Sequence, residues 1–162
     1  MDESKVLPEI KWGIDQAWLM GSKLPFPLSF IAIHTWFVVS DRQNLTHRWE
    51  IWHRQLPAEK RFGHIHYNLF PPFLGIAINP LTRSRTWASK VYNYWEGDIP
   101  LELLRLLAES AQSYPVRNKY HYWPGPNSNT YIQWILRRLS QPVENLPWKA
   151  VGAKYRIKFS AP

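Results

Sequence analysis

Ser128 stands where a hydroxyl could act as a nucleophile. It lies in the stretch Tyr122-Trp123-Pro124-Gly125-Pro126-Asn127-Ser128-Asn129-Thr130-Tyr131, a Pro- and Gly-rich turn that runs into small polar side chains. From Tyr131 the apolar residues Tyr131, Ile132, Ile135, Leu136 and Leu139 recur at helical spacing, which predicts a helix after the turn. A hydroxyl on the first turn of a helix feels the positive end of the helix dipole, a place that favours an attacking oxygen or a bound anion. The simpler reading is that Ser128 or Asn127 only caps the helix.

His34 is the second residue of interest. It interrupts the apolar run Phe30 to Val39, the clearest strand in the chain, apolar on both faces as in a central strand covered on both sides. An imidazole there needs a hydrogen-bond partner. A helix N-terminus on the face His34 shares with Ala32 and Trp36 could supply one, and a Ser128–His34 contact would be a minimal nucleophile–base pair. A satisfied core histidine is the competing reading. Glu50, on the next expected strand, could fix the tautomer of an imidazole or pair with Arg48 on an exposed face. His66 is the other candidate for orienting His34. His64 and His66 share the His-x-His spacing of a metal pair, but two ligands without a neighbouring carboxylate do not make a site, and no metal is assigned. Asn127, Asn129 and the free amides at the helix start could donate to a developing oxyanion. Trp36 and His121 are candidate substrate contacts beside them. No Walker loop, dinucleotide fingerprint, zinc-protease helix or Gly-x-Ser-x-Gly elbow occurs, so no cofactor is expected.

The elements that must hold these residues follow from the pattern. Residues 1–28 read as an N-terminal extension, with a short helix over Glu9 to Met20 and a stiff connector Leu24-Pro25-Phe26-Pro27-Leu28. Residues 29–162 read as one α+β domain. Its strands are expected at Phe30–Val39, His47–His53, Gly63–Leu69 and Thr86–Trp95. Asp98 should cap a helix with the stripe Leu101, Leu104, Leu107, Ala108 and Ala111, and Tyr155 to Phe159 should form a last edge strand. Strands followed by helices give an antiparallel sheet of about four to six strands flanked by helices.

Composition limits the partners. The 162 residues carry ten Trp, fourteen Pro, no Cys and a net charge of +8. Disulfides and a thiol nucleophile are excluded. The charge permits nucleic acid, anionic lipid or an acidic partner, but no run of five or six basic residues and no nucleic-acid motif accompanies it. The partner is therefore an unspecified small molecule, peptide or protein. No signal peptide or membrane-length apolar run is seen, which makes a cytoplasmic location the default.

The strings Ala32-Ile33-His34-Thr35-Trp36, Arg48-Trp49-Glu50-Ile51, Trp123 to Tyr131 and Leu146-Pro147-Trp148-Lys149-Ala150-Val151-Gly152 occur in that order. Together they resemble the uncharacterised bacterial domain-of-unknown-function family 3750, whose hallmark is Gly-Pro-Asn-Ser-Asn-Thr. That resemblance implies no activity. More distantly, the order of an early-strand His, a later-strand polar residue and Asn-x-Asn at a helix start is similar to circularly permuted papain-like domains. The NlpC-like, lecithin:retinol-acyltransferase-like and deubiquitinating-peptidase-like groups are among them. Their helix-start Cys corresponds to Ser128 here, and their strand His to His34, with Glu50 or His66 in the third place. This implies a hydrolase or acyltransferase acting on an amide or ester, or a silent version that keeps the site and binds a protein or anionic partner.

Overall fold

The computed structural model describes residues 8–157. Six strands form one sheet: β1 (Gln16–Lys23), β2 (Ile33–Ser40), β3 (Thr46–Ile51), β4 (Lys60–Phe62), β5 (Ile65–Tyr67) and β6 (Lys90–Glu96). Their spatial order is β4-β5-β3-β2-β1-β6, and every adjacent pair is antiparallel. Two helices follow, α1 (Asp98–Ser113) and α2 (Ser128–Leu136). The chain is an α+β fold, as the succession of strands then helices implies.

Alternation along β2 divides the interior in two. Ile33, Phe37 and Val39 face the helices, packing with Leu103, Leu107, Tyr131 and Ile132 in the main core. Trp36 and Val38 face the other way and form a second cluster with Trp18 and Met20. The segment from Pro71 to Trp87 covers this second face. Trp36 Nε1 donates to Pro72 O at 2.9 Å, and Ser22 Oγ accepts from Ile76 N–H at 3.1 Å. At Gly75 a Cβ would stand 1.9 Å from Trp87 O, so only glycine lets the cover close. β2 is therefore buried on both sides, which is why its sequence lacks a polar alternation.

Several elements differ from the sequence reading. The expected helix over Glu9 to Met20 is replaced by β1, which lies between β2 and β6. The run Ala17-Trp18-Leu19-Met20 is apolar at every position because both faces of β1 are covered, and such a short run carries no period to separate strand from helix. Residues from Gln16 onward thus belong to the α+β unit rather than to an extension, while residues 1–7 lie outside the described part. The single strand expected at Gly63–Leu69 is the hairpin β4–β5, turning at Gly63 with φ +66°. In α1 the buried stripe is Leu103, Leu106, Leu107, Ser110 and Ala111, and Leu101 is exposed. Leucines at 101, 103, 104, 106 and 107 surround that helix, so several stripes fit the sequence equally. Gly97, not Asp98, occupies its N-cap. Tyr155–Ile157 are not strand, and the rest of the expected last strand, Lys158 and Phe159, lies outside the described residues. Among the described residues no helix is long and apolar enough to cross a membrane.

Candidate functional site

The hallmark turn is held by its own side chains. Asn127 is the N-cap of α2: its Oδ1 accepts from Asn129 N–H at 3.1 Å and Thr130 N–H at 3.2 Å. Thr130 Oγ1 accepts from Asn127 N–H at 3.1 Å, completing a capping box, and donates to Gly152 O at 2.8 Å. Asn127 Nδ2 donates to Tyr122 O at 3.2 Å and Val151 O at 3.0 Å. Gly152, at φ +94°, leaves room for this amide: a Cβ there would lie 2.3 Å from Asn127 Nδ2. The two strings of the resemblance, around Ser128 and around Gly152, are thus locked together by hydrogen bonds.

Asn129 fixes the helix start on β2. Its Nδ2 donates to Ile33 O and to Val151 O, each at 2.9 Å, and its Oδ1 accepts from Thr35 Oγ1 at 2.8 Å. The first turn of α2 is therefore pinned to the residues on either side of His34, through the carbonyl of Ile33 and the hydroxyl of Thr35. Both Asn side chains direct their Nδ2 donors to backbone carbonyls and so hold the turn in place. The free group is Ser128: among the described residues neither its Oγ nor its backbone N–H has a hydrogen-bond partner, although the residue is buried.

His34 lies on the face with Trp36, opposite the face that carries α2, which corrects the expectation that the helix covers its side. Its partner there is Glu50: His34 Nε2 lies 2.8 Å from Glu50 Oε2, both side chains buried. A carboxylate accepts, so Nε2 carries a proton and donates it to Glu50, and Nδ1 is the other ring nitrogen. Nδ1 makes no hydrogen bond among the described residues, and none joins the ring to Ser128. Glu50 is held by Arg48 as well, but both side chains are fully buried, which corrects the expectation of an exposed Glu50–Arg48 pair. Arg48 Nη2 donates to Oε2 at 2.9 Å, and Nε sits 2.7 Å from Oε1, off the direction of a hydrogen bond.

Arg48 itself is fully buried. Nη1 donates to Pro71 O at 2.9 Å and Leu74 O at 2.7 Å, and the guanidinium lies 4.2 Å from the Trp36 ring centre. Trp36, read as a substrate contact, instead clamps Arg48 and has no solvent contact. Burial alone would raise the Glu50 carboxyl. Arg48 and the His34 ring more than offset it and hold it at about 2, so the carboxylate is charged at neutral pH.

His66 pairs across the sheet with Glu50 but does not touch His34. Its Nδ1 donates to His64 O at 2.8 Å and its Nε2 accepts from Leu56 N–H at 3.1 Å, a neutral tautomer with both nitrogens used. His64 Nδ1 likewise donates to Trp52 O at 2.8 Å. The hydrogen bonds of His64 and His66 tie the strand ends to Trp52 and Leu56, and Glu50, not His66, is the group that touches His34. His121 is exposed, and its backbone N–H closes the turn on Pro126 O at 2.8 Å.

Sequence reading missed an aromatic cluster that runs on from His34. Trp52 stands edge-on to His34 at 5.2 Å, and His53 packs on Tyr122 at 5.9 Å and Tyr120 at 6.3 Å. The signal was present as Trp52-His53 just past β3 and Tyr120-His121-Tyr122 before the turn, but only the fold brings the two together. Burial lowers the pKa of His53 and of His66 below the ordinary 6.5. Both rings and Glu50 therefore bind fewer protons folded than unfolded, so each contributes stability above its unfolded pKa and loses it as pH falls. The melting temperature is expected to decline from about pH 6.5 downward and to fall further between pH 4.5 and about 2 as Glu50 protonates. A melting series that rises between pH 7 and 5 would contradict this assignment.

These features define an α+β protein with a six-stranded antiparallel sheet, a buried His–Glu–Arg chain and a capped helix start fixed beside it. Residues 22–155 match the family described as Protein of unknown function (DUF3750), and the chain belongs to that family. Comparison with curated proteins and with solved structures returns no match.

Proposed function

We propose that this protein is a serine hydrolase or acyltransferase acting on an amide or ester. The observation that carries the reading is the His34–Glu50 pair. Its carboxylate is kept charged by Arg48, and its ring leaves Nδ1 as an unbonded base. Ser128 is the nucleophile. It begins a helix whose first turn is pinned to Ile33 and Thr35 on either side of that base, and its hydroxyl is not consumed by capping. His34 Nδ1 takes the Ser128 proton as Oγ attacks the carbonyl carbon. The acyl–oxygen or acyl–nitrogen bond breaks as the ring returns that proton to the leaving group. Water, or an acceptor hydroxyl or amine, then releases the acyl group by the same route. Ser128 N–H, the free amide of the turn, faces the developing oxyanion with the positive end of α2 behind it.

With an activated acyl ester as substrate, Ser128→Ala is expected to lower turnover by about 10³-fold or more. Its melting temperature should stay close to that of the unchanged chain, since the hydroxyl makes no hydrogen bond there. Turnover that survives both Ser128→Ala and His34→Ala would end the proposal.

A second reading has its own support. A cavity of about 310 Å³ on the flank of α2 is lined by Thr130, Trp134, Arg137, Tyr155 and Arg156. Two arginines beside aromatic walls suit an anionic ligand. In that reading the capped turn shapes a binding site, Ser128 takes no covalent label, and Ser128→Ala leaves binding unchanged.

A further inference from the structure

We propose that the apolar rim at the β1–β2 end of the sheet is a docking surface for an anionic lipid bilayer. The connection from β1 to β2 exposes its largest side chains: Phe26 is 65 %, Phe30 69 % and Ile31 59 % exposed, with Leu28 beside them. Two other segments are hydrogen-bonded to this loop and extend it. Ile33 N–H donates to Lys149 O at 3.1 Å, bringing up Trp148, which is 80 % exposed. Phe26 N–H donates to Ile78 O at 3.1 Å, and Ile78 N–H to Arg85 O at 2.9 Å. These bonds bring up the 78–85 turn with Leu81, 90 % exposed at its tip. Exposed apolar side chains on loops tied together by backbone hydrogen bonds, with Phe26 and Phe30 in contact, mark an interaction surface.

Charge decides the occupant. The rim is drawn from residues 16–40, 60–95 and 145–157, and none of these stretches contains an Asp or Glu. They contribute Lys23, Arg83, Arg85 and Lys149 around the apolar tips. Lys149 Nζ lies 5.3 Å from the Trp148 ring centre and Lys23 Nζ 5.1 Å from that of Trp87, so ammonium and indole stand together. Apolar loop tips, an interfacial indole and flanking cations of one sign are what a headgroup layer above acyl chains accepts. The net charge of +8 adds long-range attraction to the same surface. The rim lies at the end of the sheet where β2 begins, the end that also carries His34 and the start of α2. The inference does not depend on chemistry at Ser128, and a Ser128→Ala chain should bind vesicles unchanged.

The full chain, incubated with vesicles of phosphatidylcholine carrying about a third phosphatidylglycerol, is expected to co-sediment, and to do so less with rising salt and far less without the anionic lipid. Phe30→Ser combined with Ile31→Ser should weaken partitioning at least about tenfold, since two exposed apolar side chains no longer enter the acyl region. Arg83→Gln with Arg85→Gln should weaken it about fivefold or more. The chain has no cysteine, so Ile31→Cys accepts an environment-sensitive dye at one position, whose emission should shift blue on anionic vesicles. All these positions are exposed, and unchanged melting of each variant separates lost docking from lost folding. Absence of sedimentation and of the dye shift would overturn the proposal. So would equal binding by the Phe30/Ile31 variant. A dimer that the same variant disperses in vesicle-free solution, without vesicle binding, would assign the rim to self-association instead.

Discussion

Arg48→Met is expected to destabilise the fold by about 3–5 kcal/mol, the usual cost of removing one partner of a buried ion pair. The size comes from what is left behind. Glu50 would stay buried with its charge facing only the His34 ring, and the carbonyls of Pro71 and Leu74 would lose their donor. A total stability in the ordinary range of about 5–15 kcal/mol leaves little after such a loss. Removing the charge as well, in Arg48→Met with Glu50→Gln, should recover part of it, because an uncompensated carboxylate is worse than a neutral amide in the same place. Urea denaturation of the single and double variants measures both. A loss under about 1 kcal/mol for Arg48→Met would mean that the pair is not buried in solution.

Glu50→Gln is expected to cut turnover by about 10³–10⁴-fold, the effect of removing the carboxylate behind a catalytic imidazole. An amide can still accept from His34 Nε2–H through its oxygen, but it can equally turn its NH₂ toward the ring. The ring would then have to accept at Nε2 and carry its proton on Nδ1, where it could not take one from Ser128. The amide also cannot stabilise the imidazolium that forms as Ser128 attacks. Because this variant leaves Arg48 without its counter-ion, turnover must be compared well below its own melting temperature. A pH–rate profile gives a readout that destabilisation would not move. The acidic limb should shift downward when the carboxylate is gone, since the imidazolium loses its nearest negative charge. Unchanged kinetics in a folded variant would remove Glu50 from the proposed mechanism.

Much of the site was legible because its logic is local. The turn before α2 announced a cap, and Asn127 with Thr130 forms one; His34 in an apolar strand announced a partner, but that partner is Glu50 and not the helix start at Ser128. The α+β order was legible for the same reason, since strands and helices follow one another along the chain. What escaped was whatever depends on which face a residue takes. β1 reads as helix or strand because both of its faces are covered, and α2 was placed on the face of Trp36 because an all-apolar strand carries no alternation to say otherwise. Arg48 and Glu50 looked like an exposed pair, since charged residues seldom lie inside. Only the cover from Pro71 to Leu74, which supplies carbonyls to Arg48, makes that burial possible. Asn127 and Asn129 looked like free donors, and the Leu146–Gly152 string that consumes those donors is distant in sequence.

The central claim is that His34, held by Glu50, activates Ser128. It is tested most directly by exposing the folded chain to a fluorophosphonate probe and measuring its intact mass. Ser128 Oγ would attack phosphorus and fluoride would leave, with the serine proton passing to His34. The account predicts a single adduct that maps to Ser128, is absent in Ser128→Ala and forms far more slowly in His34→Ala. A chain that labels no faster than its Ser128→Ala variant, or labels at another residue, would contradict it.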